Sequence, residues 1–344
     1  MRAIRLHAFG PAENLVHEEV EDPEPGSGQV RVVVAAAGVH LIDTALREGL
    51  QLGPLPLPEL PTIPGREIAG TVDAVGEGVD SDWLGRRVVA HLGQAPGGYA
   101  ELAVVGTEAL HVLPDGLDAP QAVAMIGTGR TVMGVLRGVE LGPQDTVLVL
   151  AAAGGMGSLL LQYAKDRGAR VVGAAGGPGK TETVAKLGAD LAVDYNLPDW
   201  SGHILAGLSE ATGQGGPGSR GGPDGDRPFT HVFDSVGGEP GRIALGLVAV
   251  GGTHHAYGSA ATGFAADGAV APAEEELAER GISVRSLDGA RMLAQKRALE
   301  EESMAHAAAG TLVPLVQPFA LAEAARAQRA LSERGTIGKV VLLP

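Results

Sequence analysis

The chain has 344 residues, among them 53 glycines, 22 prolines and no cysteine. That length accommodates two cores, and the missing thiols exclude disulfides and any cysteine-ligated zinc. The net charge of −15, from 41 acidic and 26 basic residues, repels phosphate backbones and speaks against nucleic-acid binding. Neither a membrane-length apolar run nor a signal-peptide pattern is visible, so a cytoplasmic, soluble protein is expected.

The first third reads as β-rich. Residues 3–6 alternate, residues 29–37 follow a Pro/Gly turn at 23–28, and 70–75 and 86–90 are further strands. Short strands between turns predict a rolled antiparallel domain. From about residue 120 helical patterns alternate with strands, at 147–150, 169–173, 192–195, 230–234, 252–257 and 282–287, which predicts a parallel sheet. Residues 213–227 are a Gly/Pro-rich insertion expected to form a mobile surface loop. A helix over 290–309 precedes an alternating strand at 338–343, expected to return to the first domain.

The run Val147-Leu148-Val149-Leu150 enters Ala151-Ala152-Ala153-Gly154-Gly155-Met156-Gly157, and an amphipathic pattern with Leu159, Leu160 and Tyr163 follows. Strand, glycine turn and helix start together suit a dinucleotide, whose pyrophosphate rests on a helix N-terminus. Glycine is needed where the backbone must approach the phosphates and where helix packs on strand. Ala152 replaces the first glycine of the strict pattern. Ala153, Gly154, Gly155, Met156 and Gly157 are therefore the phosphate-loop candidates.

The next strand ends in Gly173-Ala174-Ala175-Gly176-Gly177, without the carboxylate that binds ribose hydroxyls in NAD-preferring sites. Lys180 follows, and Tyr195 closes the strand after it. A cation without a competing acid suits a 2′-phosphate, so NADPH is the expected cofactor.

Several segments, in their order and spacing, resemble the medium-chain dehydrogenase/reductase superfamily, and its NADPH:quinone oxidoreductase and enoyl reductase branch in particular. They are residues 38–44, 63–76, 97–101, 187–190, 233–238 and 335–341. The resemblance implies an α/β protein with a GroES-like, β-rich substrate domain (1–123, completed by 289–344) and a Rossmann-type doubly wound parallel sheet (124–288). It implies an active cleft between them in which hydride passes to a quinone or an activated α,β-unsaturated carbonyl. It places Thr131, Val236 and Gly237 near the nicotinamide, assigns Lys180, Tyr195 and Arg334 to the 2′-phosphate, and sets Lys339 close to the cleft. Tyr257, near a strand end beside His254 and His255, joins the cofactor candidates. It also implies a homodimer paired through an edge strand, for which 282–287 is the candidate.

Zinc-using relatives carry Cys where His40 stands and His where Arg66 stands. Only His40 and Glu67 remain as metal ligands, beside a guanidinium, so no metal site is expected. The quinone-reductase branch commonly has Asn at position 40 and often Tyr at 45 or 51, where this chain has His40, Ala45 and Gln51. Reduction of a polarised C=C leaves an enolate or quinol anion, which needs an oxyanion partner and a proton. His40 is the candidate donor and Arg66 the candidate electrostatic clamp. Their bland alternatives are a satisfied core histidine and an ion pair of Arg66 with Glu67 or Asp43. Rival functions are an enoyl-thioester reductase of a fatty-acid or polyketide-like pathway, and a non-redox isomerase, cyclase or NADPH sensor.

Overall fold

The computed structural model describes residues 1–51, 56–93, 97–211, 227–258 and 274–344. The insertion at 213–227 lies outside them except for Arg227. The described chain divides into two compact units, residues 1–131 with 296–344, and residues 132–295.

The first unit opens with β1 (Arg2–Leu6) and β2 (Leu15–Glu19), an antiparallel pair. The long β3 (Gln29–Gly38) follows. Val30, Val32 and Val34 alternate inward, and from Ala36 onward every residue is buried because neighbours cover both faces. Helix α1 (Leu41–Glu48) begins after His40, whose backbone N–H donates to Asp43 Oδ2 at 2.9 Å, and stops at Gly49, which takes the left-handed φ of 79°. Next come β4 (Glu67–Val75), β5 (Arg87–His91), β6 (Leu102–Gly106) and β7 (Leu110–Val112). Ile4, Leu6, Val32, Ile68, Val88 and Tyr99 belong to one core. Helix α2 (Ala119–Val123) is capped by Asp118, whose carboxylate accepts from Gln121 N–H at 2.7 Å. It widens into a π turn (Ala124–Gly129) and continues as α3 (Arg130–Leu136).

In the second unit strands and helices alternate: β8 (Thr146–Leu150), α4 (Gly155–Asp166), β9 (Arg170–Ala175), α5 (Pro178–Lys186), β10 (Leu191–Asp194), α6 (Trp200–Ala211), β11 (Phe229–Asp234), α7 (Gly238–Gly246), β12 (Val248–Ala256), α8 (Glu274–Glu279) and β13 (Ser283–Ser286). The strands are parallel in the order β10-β9-β8-β11-β12-β13. The chain winds outward from β8 in both directions, so the switch point lies between β8 and β11, where ligands of such sheets collect. The apolar runs read in the sequence are buried here: Leu148, Leu150, Val172, Val232 and Val248 share a core.

The stretch expected as one helix over 290–309 is two, α9 (Gly289–Ala294) and α10 (Lys296–Ala308), broken at Gln295, which leaves the helical region at φ −107° and ψ 13°. The unit boundary falls at this break. The chain then returns to the first unit through β14 (Val316–Ala320), α11 (Ala324–Ser332) and β15 (Lys339–Leu343). The larger sheet of that unit has the order β14-β15-β3-β4-β5-β7, with β6 also pairing β3. β15 lies antiparallel to β3, with Val341 opposite Gly38.

Candidate functional site

In the second unit the glycine turn lies at the C-terminal end of β8. Ala151 takes a left-handed φ of 48°, and Gly154 N–H donates to its carbonyl at 2.8 Å, closing a tight turn before α4. A Cβ on Gly157 would collide with that same carbonyl, and one on Gly154 would approach it to 3.1 Å. The glycines thus let the helix start directly beneath the strand end. The amides of Gly155, Met156 and Gly157 belong to the first turn, whose N–H groups lack intrahelical acceptors. Ala153 is buried and Met156 half-buried beside them. This is a cradle for an anion at the switch point of a parallel sheet.

At the end of β9 no acid stands among residues 173–177. The fold nevertheless brings one from the neighbouring strand: Asp194 Oδ1 accepts from Gly177 N–H and from Asn196 N–H, both at 2.9 Å. The sequence reading missed this carboxylate because β10 is 17 residues further on. Both of these bonds go to backbone amides, so Asp194 shapes the turn. Tyr195, just past β10, donates its N–H to Ala175 O at 3.1 Å, and a Cβ on Gly176 would lie 3.2 Å from its ring. Lys180 sits half-buried in the first turn of α5. Two of the three candidates for a 2′-phosphate are thereby gathered around the β9–α5 turn. The third, Arg334, belongs to the first unit, exposed just after α11 with a left-handed φ of 58°.

The loop after β11 is held by one side chain. Asp234 Oδ1 accepts from Val236 N–H at 2.7 Å and Gly237 N–H at 2.9 Å, while Oδ2 lies 3.2 Å from His254 Nε2. A Cβ on Gly241 would strike Oδ2. The backbone of Tyr257 donates to Asp234 O at 2.9 Å, and burial pushes its phenol pKa upward. His254 therefore supports the loop. His255 instead stacks on Phe233, with centroids 4.6 Å apart, and meets His231 at 3.1 Å. Burial, with help from the neighbouring His231, holds its pKa down at about 3.

In the first unit the structure assembles a group that no local motif announces. Glu67 begins β4 fully buried. Its Oε1 lies 2.7 Å from His40 Nε2 and its Oε2 lies 3.0 Å from Lys339 Nζ, while Lys339 Nζ and His40 Nε2 are 2.8 Å apart. Strand order explains the meeting: β15 and β4 flank β3, and His40 follows β3 directly. Room for the carboxylate comes from Gly38 and Gly127, since a Cβ on either would collide with it. Burial pulls the Glu67 pKa upward, but the charges of His40 and Lys339 outweigh it and hold the carboxyl well below the usual range. Burial lowers the Lys339 pKa, with Glu67 opposing.

Next to this triangle runs a second polar cluster. His91, opposite Glu67 in the β4–β5 register, accepts from Gly93 N–H on Nδ1 at 3.0 Å and has Arg130 Nη2 3.3 Å from Nε2. Burial keeps His91 neutral, with a pKa down at about 3. Arg130 also reaches buried Glu300, which is 3.1 Å from His111. Thr131 donates its hydroxyl to Gly127 O at 2.8 Å, satisfying a carbonyl of the π turn.

Arg66 pairs with neither Glu67 nor Asp43 among the described residues; Glu67 is taken by Lys339 and His40, and Asp43 Oδ2 accepts from Tyr99 Oη at 2.7 Å. Arg66 instead lines a cavity of about 310 Å³ together with Asp43, Leu6, Leu46, Leu57 and Pro64. Ala45 is buried and Gln51 exposed. No three His, Cys, Asp or Glu side chains converge among the described residues.

Comparison with known proteins gives two family matches, the alcohol dehydrogenase GroES-like domain over residues 26–115 and zinc-binding dehydrogenase over residues 155–299. A quinone oxidoreductase of Pseudomonas aeruginosa is 34% identical over 353 residues, covering 100% of this chain and 99% of its own length. A 2-haloacrylate reductase of a Burkholderia species is 32% identical, covering 99% of this chain and 98% of its own length. Among solved structures, Escherichia coli quinone oxidoreductase complexed with NADPH superposes with a TM-score of 0.80 at 28% identity, over 100% of both chains.

Proposed function

Because the chain belongs to the quinone oxidoreductase branch of the medium-chain dehydrogenase/reductase superfamily, we propose that it reduces quinones or activated carbon–carbon double bonds with NADPH and without a metal. It is an NADPH-dependent oxidoreductase. The observation that carries the reading is the cradle at Gly154–Gly157. It is a helix start cleared of side chains at the switch point, followed by a β9 end that carries no acid of its own. Bound there, NADPH supplies the hydride.

The chain's own groups divide the remaining work. Amides of Gly155, Met156 and Gly157, beside Ala153 and Gly154, are assigned to the pyrophosphate. Lys180, Tyr195 and Arg334 are assigned to the 2′-phosphate. Val236 and Gly237, fixed by Asp234, are assigned to the nicotinamide side with Thr131 and Tyr257. His40, 25% exposed at its side chain, is the donor that returns a proton to the reduced substrate. The zinc implied by one family name does not fit this donor set. The Lys339 ammonium stands against both His40 and Glu67, and a cation at that point repels a metal.

Arg66 favours activated alkenes that carry a carboxylate as a second substrate class. Its guanidinium and that of Arg47 border a cavity lined besides by leucine and proline and by the acids Asp43 and Glu59, and a guanidinium pairs well with a carboxylate. The 2-haloacrylate reductase relative acts, by its name, on such a compound.

The test is NADPH and NADH oxidation with a panel of quinones, alkenals, haloacrylates and enoyl thioesters. The expected result is turnover with a quinone or activated alkene and at least about tenfold preference for NADPH, a difference of roughly 1.4 kcal/mol. Tight NADPH binding without oxidation by any acceptor, followed by stopped flow, would overturn the reductase assignment in favour of a non-redox role.

A further inference from the structure

Resting on the assignment of His40 as proton donor, we infer that Lys339 is a proton relay behind it, recharging the imidazole, with Glu67 as the buried counter-charge that holds the ammonium there. The three heavy atoms stand 2.7, 2.8 and 3.0 Å apart. With Lys339 charged, its ammonium donates to His40 Nε2 and pairs with Glu67 Oε2, so Nε2 is bare and the imidazole proton sits on Nδ1. Oε1, 2.7 Å from bare Nε2, then faces a lone pair. Moving one proton from Nζ to Nε2 turns that repulsion into attraction between the carboxylate and the imidazole N–H.

The step balances as follows. The anion left by hydride transfer takes the proton from Nδ1: that N–H bond breaks and a C–H or O–H bond forms. Nε2 takes a proton from Nζ, leaving His40 neutral in its other tautomer and Lys339 as a neutral amine. Solvent water then returns a proton to His40, the one member with appreciable exposure, at 25% against 5% for Lys339 and 0% for Glu67. The reverse shift recharges Lys339. No electrons move in the relay.

Burial lowers the Lys339 pKa, which eases release of its proton; Glu67 and Asp43 oppose this and Arg130 supports it. His91, on β5 behind Glu67, is neutral and adds no competing charge at working pH. Lys339 and Glu67 are thus positioning residues that act through His40.

The relay is tested first without chemistry, by the ¹⁵N shifts of the His40 ring in the full chain, assigned with His40→Asn. The expected resting form is the Nδ1–H tautomer, turning to Nε2–H in Lys339→Met. An Nε2–H tautomer or an imidazolium already in the unaltered protein would overturn the proposal, and that measurement needs no variant of Lys339 to fold. Kinetics supply the second arm. In Lys339→Met kcat with an enone should fall about 10²-fold, more than the single-turnover hydride step, and the solvent deuterium effect should rise. Lys339→Arg keeps the charge but not a releasable proton. It should fail as the Met variant does, whereas wild-type turnover in it would show a purely electrostatic role. An unaltered protein that oxidised no NADPH would sink the reductase assignment, with the tautomer experiment still deciding the proton arrangement.

Discussion

The carboxylate of Glu67 is walled in by Gly38 and Gly127 and faced by one ammonium and one imidazole. A methyl at Gly127 therefore displaces a buried charge as well as volume. Gly127→Ala should lower stability by about 3 kcal/mol, read by denaturant melts at neutral pH. Glu67→Gln leaves Lys339 buried without a counter-charge and should cost about 3–5 kcal/mol, most of it recovered in Glu67→Gln/Lys339→Met. A double variant as unstable as the sum of the singles would mean the two groups do not interact. Asp234 carries a different load, two backbone amides of the Val236–Gly237 loop. Asp234→Ala orphans both and should weaken NADPH binding about tenfold in a fluorescence titration, while the chain still folds.

At the level of elements, period-2 alternation found most strands, and the glycine turn was legible because its residues are adjacent. The triangle of His40, Glu67 and Lys339 was not, because 299 residues separate His40 from Lys339 and only the β15–β3–β4 order joins them. Its faint trace in the sequence was a lone acid opening an apolar strand, flanked in space by two glycines. Asp194 escaped for a similar reason: parallel pairing carries it beside the β9 end. The helix break at Gln295 left no Gly or Pro signal to read. β13 is the outer strand of its sheet, with all four residues exposed and Val284 at 40%. An open edge of this kind invites a second copy. We propose that a second copy pairs there, and Val284→Lys should then shift the sedimenting mass from two chains to one.

Taken as a whole, the molecule is built to lose stability in acid. His91 and His255 are both held neutral down to a pKa of about 3, against roughly 6.5 in an unfolded chain. Between those values the unfolded chain takes up protons that the folded one refuses. The stability is complete above about pH 6.5 and declines as pH falls towards 3, by up to about 1.4 kcal/mol per pH unit for each histidine. Glu67, whose folded pKa is depressed, adds to the loss once pH drops below the ordinary carboxylate range. Urea melts from pH 4 to 8 should show the decline, and His255→Asn should flatten it by one histidine's share.

The discontinuity of the first unit has a bearing on biogenesis. β15 sits inside its sheet, between β14 and β3, yet it leaves the ribosome only after all of residues 132–295. While the intervening unit is being translated, the end of β3 at Ala37–Gly38, which β15 will pair, stays open, and Glu67 waits without its ammonium. The order of synthesis thus completes the parallel-sheet unit first and leaves the discontinuous unit unfinished until its last strands emerge.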